Sequence, residues 1–169
     1  MSPILPPSTD DRPDLLERED TYEFALATAG IGVWEYDLVR GTNRWDELTK
    51  EIFGVDVDGP VPADAGRSFI HPDDLEDSDR ALEEATDPDS PGDYDVEKRI
   101  IRPDGELRWI RTTGRAIFEG EGEERRAVRV IGTVRDVTER KRAERAERFL
   151  AEAGVRLAST LDYEETIER

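Results

Sequence analysis

The run Val130-Ile-Gly-Thr-Val-Arg-Asp-Val-Thr-Glu-Arg-Lys141 passes from strand chemistry to helix chemistry with no loop residues between. Val128, Val130, Ile131, Val134 and Val137 are β-branched and pack best on a pleated surface. From Glu139 the chain turns to Glu, Arg, Lys and Ala, which are strong helix formers. This joint constrains the fold: the strand needs a sheet to belong to, and the helix must leave that sheet from the strand's end. A disturbance of the sheet then reaches whatever the helix drives, which points to signalling rather than chemistry. Asp136 and Thr138 are the residues placed to set the joint. Asp136 with Glu139 forms a D-x-x-E box, and Thr138 is the alternative cap, with Lys141 three residues on.

The rest of the chain supplies the sheet. Asp20-Thr-Tyr-Glu23 is a capping box opening a short helix through Ala29, which Gly30 and Gly32 break. Trp34, Tyr36 and Leu38 alternate with polar residues, a strand that Gly41-Thr-Asn43 turns back toward a second one near Arg44 and Trp45. Asp46 to Phe53 reads as a brief helix with Leu48 and Ile52 on one face and Gly54 as its left-handed stop. Val55 to Gly66, with two prolines and two glycines, reads as loop.

Pro72, followed by Asp73 and Asp74, opens the longest internal helix, whose buried stripe is Leu75, Ser78, Leu82 and Ala85. Three strands follow, Tyr94–Ile101, Leu107–Phe118 and Ala127–Val137, separated by the turns Pro103-Asp-Gly105 and Glu119–Glu124. In the first of them Tyr94, Val96 and Ile100 alternate with charges. Strands at both ends flanking central helices predict an α+β fold, one antiparallel sheet with its helices on one face and a long C-terminal helix beyond.

Composition narrows what such a domain can do. A net charge of −18 argues against nucleic acid and against an anionic membrane surface as partners. Twelve acids and one base lie between Asp73 and Glu97, which form either a solvated face or an acidic docking patch. The absence of cysteine removes disulfides, thiolate metal sites and any cysteinyl-flavin adduct. No apolar run approaches the roughly 20 residues of a membrane span, and no signal peptide opens the chain, so a cytoplasmic protein is expected. Residues 1–20, with Pro3, Pro6, Pro7 and Pro13 among Ser, Thr and Asp, are expected to be a disordered tail.

The element order and several local stretches resemble a PAS domain of the S-box type with its C-terminal segment. They are Gly30-Ile-Gly-Val-Trp-Glu-Tyr-Asp37, Trp45 through Phe53-Gly54, Phe69-Ile-His-Pro-Asp-Asp74, Arg102-Pro-Asp-Gly-Glu-Leu-Arg-Trp-Ile110 and Ile131 through Lys141. The resemblance implies a five-stranded antiparallel sheet cupping a small cavity over residues 21–138, with a sensory or dimerising role. The parent would be a larger regulatory protein of histidine kinase, phosphatase or cyclase type. It implies no particular ligand.

Past Thr138, Ala143, Ala146, Leu150, Ala153 and Leu157 recur at spacings of three and four. This is an a/d seam of about two heptads. It suits a homodimeric coiled coil over 139–169, and a helix packed on its own domain is the alternative. Phe149 to Ile167 resembles the helix that opens a GAF domain, so downstream GAF-like and effector domains are expected in cis.

Candidate chemistry is sparse. His71, the only histidine, precedes Pro72 at a helix start and reads as structural rather than as a haem ligand. No nucleophile has a base without it, and no phosphate loop occurs, so no enzymatic activity is expected of the chain. The aromatic set Trp34, Tyr36, Trp45, Phe53, Phe69 and Trp109 reads as core. By apolar phase, the pocket-lining candidates are Trp34, Tyr36, Ile52 and Phe69. No cofactor is expected, and a haem- or flavin-binding sensor and a passive interaction scaffold are the alternatives to a signal relay.

Overall fold

The strand that leads into the joint lies inside the sheet rather than at its edge. A computed structural model describes residues 21–56, 61–62 and 64–167, with 154–167 described as helical backbone. Leu157 and residues 1–20 therefore lie outside the described side chains. After helix α1 (residues 21–28) come β1 (Gly32–Asp37), β2 (Thr42–Trp45), α2 (Glu47–Phe53), β3 (Val61–Pro62) and α3 (Ala65–Ser68). A 3-10 turn at Pro72–Asp74 leads into α4 (Leu75–Thr86), then β4 (Asp93–Ile101), β5 (Leu107–Glu119), β6 (Arg126–Asp136) and α5 (Thr138–Ile167).

The strands form one antiparallel sheet in the order β3-β2-β1-β6-β5-β4. β6 is held on both sides, with Tyr36 and Ala116 both opposite Val130. The five expected strands are present. The stretch expected to be loop, Val55 to Gly66, contains a sixth strand and the start of the short helix α3. Val61 and Pro62 pair with Asn43 and Thr42, and a proline is tolerated there because β3 is an edge.

Strand period decides which side chains meet. Tyr94, Lys98 and Ile100 of β4, Ile110 and Thr112 of β5, and Val130 and Val134 of β6 are buried on the inner face. There α2 adds Ile52 and Phe53, and Trp34, Trp45, Leu48 and Phe69 pack around this cluster. Asp46 fixes α2 to β1: its Oδ1 accepts from the Thr49 amide (2.7 Å) and its Oδ2 from the Val33 amide (2.8 Å). Gly54, at φ 70°, ends α2 in the left-handed region as its position predicts.

Gly132 has a different reason. A Cβ there would sit 2.1 Å from the Thr113 carbonyl oxygen and 2.6 Å from the Trp34 ring, so only glycine lets the indole lie flat on the sheet.

Candidate functional site

Between the inner sheet face and α3 and α4 lies a cavity of about 280 Å³. Its apolar wall is aromatic, built by Trp34, Tyr36, Trp45 and Phe53. Trp45 and Phe53 stack at 4.5 Å, and Trp34 meets Tyr94 edge-on at 5.9 Å. The polar wall includes Ser78, Tyr94, Lys98 and Thr112, with Asn43, Thr49 and Asp64 also on the lining. Lys98 is 8% exposed, and its Nζ donates to Ser78 Oγ and to the Tyr94 hydroxyl, both at 2.9 Å. Burial pushes the Tyr94 phenol up, but the Lys98 charge and hydrogen bonds from Lys98, Thr112 and Ser78 bring it below the ordinary tyrosine range. Arg67 and Asp79 close the rim as a forked pair, and the Asp79 carboxyl is held low by those hydrogen bonds.

Of the four residues expected to line a pocket, Trp34 and Tyr36 do. Ile52 and Phe69 do not: Ile52 packs into the cluster with Ile100, Ile110 and Val134, and Phe69 lies against Trp45 and Phe53. Apolar phase identifies the face a residue is on, not where that face leaves a void. Lys98 was missed, although it shares the strand phase of Tyr94, Val96 and Ile100. His71 caps the 3-10 turn, its Nδ1 accepting from the Asp73 amide at 3.2 Å, and it is not among the residues of the cavity wall.

At the other end of the inner face stands the joint. Asp136 Oδ1 accepts from the Thr138 amide (2.8 Å), while Oδ2 takes a bond from Arg108 Nη1 (2.8 Å). Burial raises the Asp136 carboxyl, but the Thr138 and Arg108 bonds outweigh it and leave the group below its usual range. Arg108 is also forked onto Glu106 at 3.0 and 2.9 Å.

Thr138 does something else. Its Oγ1 accepts from the Trp109 amide at 2.9 Å, and the Val137 amide donates to the Trp109 carbonyl at 2.8 Å. Of the two cap candidates, Asp136 caps an amide of the helix start, and Thr138 pins the first turn of α5 to β5.

Trp109 is not core. It lies on the outer face with Arg99, Lys141 and Arg145 over its ring at 5.6, 5.2 and 5.4 Å. Glu97 pairs with both Arg140 and Lys141, so the first turns of α5 are clamped to the outer sheet face. Beyond them α5 leaves the domain. Ala143, Ala146 and Leu150 are exposed, Ala153 is half-buried, and Phe149 and Leu150 are 71% and 69% accessible.

The chain matches the PAS fold family over residues 42–134, more than half its length. It belongs to that family. A blue-light-activated histidine kinase of Brucella ovis is 31% identical over 126 residues, which make up 75% of this chain and 24% of that protein. The chain thus spans about a quarter of the length of the curated relatives it matches. A sensory box histidine kinase/response regulator from Burkholderia thailandensis superposes with a TM-score of 0.67 at 30% identity, over 80% of this chain and 98% of that one. A domain of a putative light and redox sensing histidine kinase from Haloarcula marismortui shares the fold at 22% identity and a TM-score of 0.52, over 69% and 99% of the two chains.

For this PAS domain, the described residues include no group of three His, Asp or Glu able to hold a metal ion. No described helix is long and apolar enough to cross a membrane. Much of the acidity between Asp73 and Glu97 is taken up internally. Asp74 is bound by Arg99, Asp79 by Arg67, Asp93 by Arg115 and Asp95 by Arg111.

Proposed function

We propose that this PAS domain is a sensory module that relays a cue from its inner face through the β6–α5 joint, within a larger regulatory protein of histidine kinase type. The chain itself carries no catalytic role in this reading. The observation that carries it is the joint. Asp136 and Thr138 tie the first turn of α5 to two strands at once, so a shift of β5 or β6 changes the direction in which the helix leaves. The exposed seam of α5, with Ala143, Ala146 and Leu150, is the surface of a parallel homodimer that continues past Ala153 and Leu157 toward GAF-like and effector domains in cis. The relatives, whose length extends far beyond the matched region, support such a context.

The test is Asp136→Ala combined with Thr138→Ala in the full-length protein. Signalling output should change more than the melting temperature accounts for; output that follows melting temperature alone, across joint and core variants, ends the relay reading. Sedimentation of the present chain tests the seam, since a strict monomer at high micromolar concentration removes the dimer.

A second reading, favoured by the aromatic cavity, makes a bound small molecule the cue. At about 280 Å³ the cavity sits at the lower edge of the roughly 300–1,000 Å³ that enclose drug-sized ligands. It is therefore sized for something smaller than flavin or haem. Without cysteine, a flavin held there forms no thiol adduct. An absorption spectrum of the purified protein decides the point, because a yellow or red sample overturns the small-ligand reading.

A further inference from the structure

Lys98 is an anomaly in this chain. The sequence carries 42 acids and 24 Lys or Arg, so a carboxylate is the commonest partner on offer. Arg99, Arg108 and Lys141, each part-buried, take one: Arg99 holds Asp74, Arg108 holds Asp136, and Lys141 holds Glu97. Lys98 is more buried than any of these, yet among the described residues no carboxylate comes within ion-pair distance of its Nζ. The nearby Asp79 feels the lysine's charge, but its oxygens are occupied by Arg67 at 2.9 and 2.7 Å.

The two hydroxyls that accept from Nζ are neutral, and an ammonium has three protons to donate. A buried cation without a counter-charge is costly, and such a group is tolerated where something else completes it. Lys98 lies in the wall of the cavity, and the facing wall is Trp34, Tyr36, Trp45 and Phe53.

We propose that the cavity binds a small aromatic carboxylate, its acid group seated on Lys98 Nζ and its ring against Trp34 and Trp45. The proposal rests on the reading of the cavity as the sensory site and names the ligand's class. One cation flanked by two hydroxyls matches the single charge of a carboxylate. A phosphate, with more charge and more acceptor atoms, would leave oxygens unmatched in this space. Flat rings lining the wall favour a flat body.

The test is calorimetric titration of the chain with benzoate, 2-naphthoate and 9-anthroate, each alongside its neutral carboxamide, with amide shifts mapped by NMR. At least one acid should bind about tenfold or more tightly than its amide, as a charge-assisted bond to a buried ammonium requires, with shifts centred on Ser78, Tyr94 and Thr112. Lys98→Met should erase that preference while leaving the amide's affinity within about threefold. Acid and amide binding equally, or no acid binding at millimolar concentration, overturns the proposal, and neither outcome depends on the variant folding. If the acids fail while joint variants still alter output, the sensory reading stands and only the ligand class falls.

Discussion

The joint, whose Asp136 and Arg108 lie on the inner sheet face, and the cavity on that same face treat charge in opposite ways. At the joint the charges that hold the start of the helix are paired: Glu106 and Asp136 grip Arg108 from two sides, and on the outer face Glu97 takes Arg140 and Lys141 together. In the cavity Lys98 Nζ bonds two hydroxyls and, among the described residues, pairs with no carboxylate. The pairing at the joint holds one geometry of the outgoing helix until several bonds are exchanged. An incomplete cation in the cavity leaves free energy to be gained on binding. A relay needs both, a place where binding can contribute energy and a place where a discrete rearrangement can use it.

The largest effect is expected at Gly132, which lies under Trp34 in the strand that leads to the joint. Gly132→Val should destabilise the domain by about 3 kcal/mol or more, because the Thr113 carbonyl that a Cβ would strike is backbone and cannot move aside. Urea unfolding measures this, and a loss under about 1 kcal/mol would show that β5 and β6 can separate without penalty. Next in size is Thr138→Val, which keeps the shape but removes the acceptor of the Trp109 amide. A loss of about 1–2 kcal/mol is expected from the stranded N–H, with faster hydrogen exchange at Trp109 and in the first turn of α5. Exchange unchanged at Trp109 would mean the pin contributes nothing.

Lys98→Met should act in the other direction. Replacing an uncompensated buried charge with an apolar side chain of similar length should stabilise the ligand-free domain by about 1 kcal/mol. A destabilisation of that size would mean that the two hydroxyl bonds already complete the lysine, and the contrast between the two ends would disappear.

Much of this frame was legible in the sequence because local rules and tertiary needs agree there. The strand alternation of Trp34 and Tyr36, the Gly54 stop and the Pro72 helix start are decided within a few residues. What escaped was decided at a distance. Val61 and Pro62 become a strand only because Asn43 and Thr42 offer an edge. Trp109 reads as core by type, but its place in the pleat turns it to the outer face beneath Lys141 and Arg145. Lys98 could have been found, since its phase along β4 is that of Tyr94 and Ile100 and contradicts its charge. The choice between Asp136 and Thr138 as cap could not, because the partner of Thr138 is a backbone amide 29 residues away.

The smallest effect is the pH response of the joint. Asp136 is below its usual range in the folded domain because the Thr138 and Arg108 bonds outweigh its burial, so its ionised form binds the native state more strongly than the unfolded one. Its contribution is therefore fully present above the ordinary carboxylate range of about 4 and lost as pH falls through the lower folded value. Global stability is a poor monitor, since Asp74, Asp79, Asp95 and Glu97 are lowered too and act in the same direction. The Thr138 amide is specific, because its acceptor is Asp136 itself. After correction for the intrinsic pH dependence of exchange, its protection should fall at acid pH earlier than that of inner-strand amides such as Val130. In Asp136→Asn, protection at Thr138 should be lower throughout and track Val130 with pH. If the wild-type amide also tracks Val130, the joint opens only when the whole domain does, and it is not a separate two-state element.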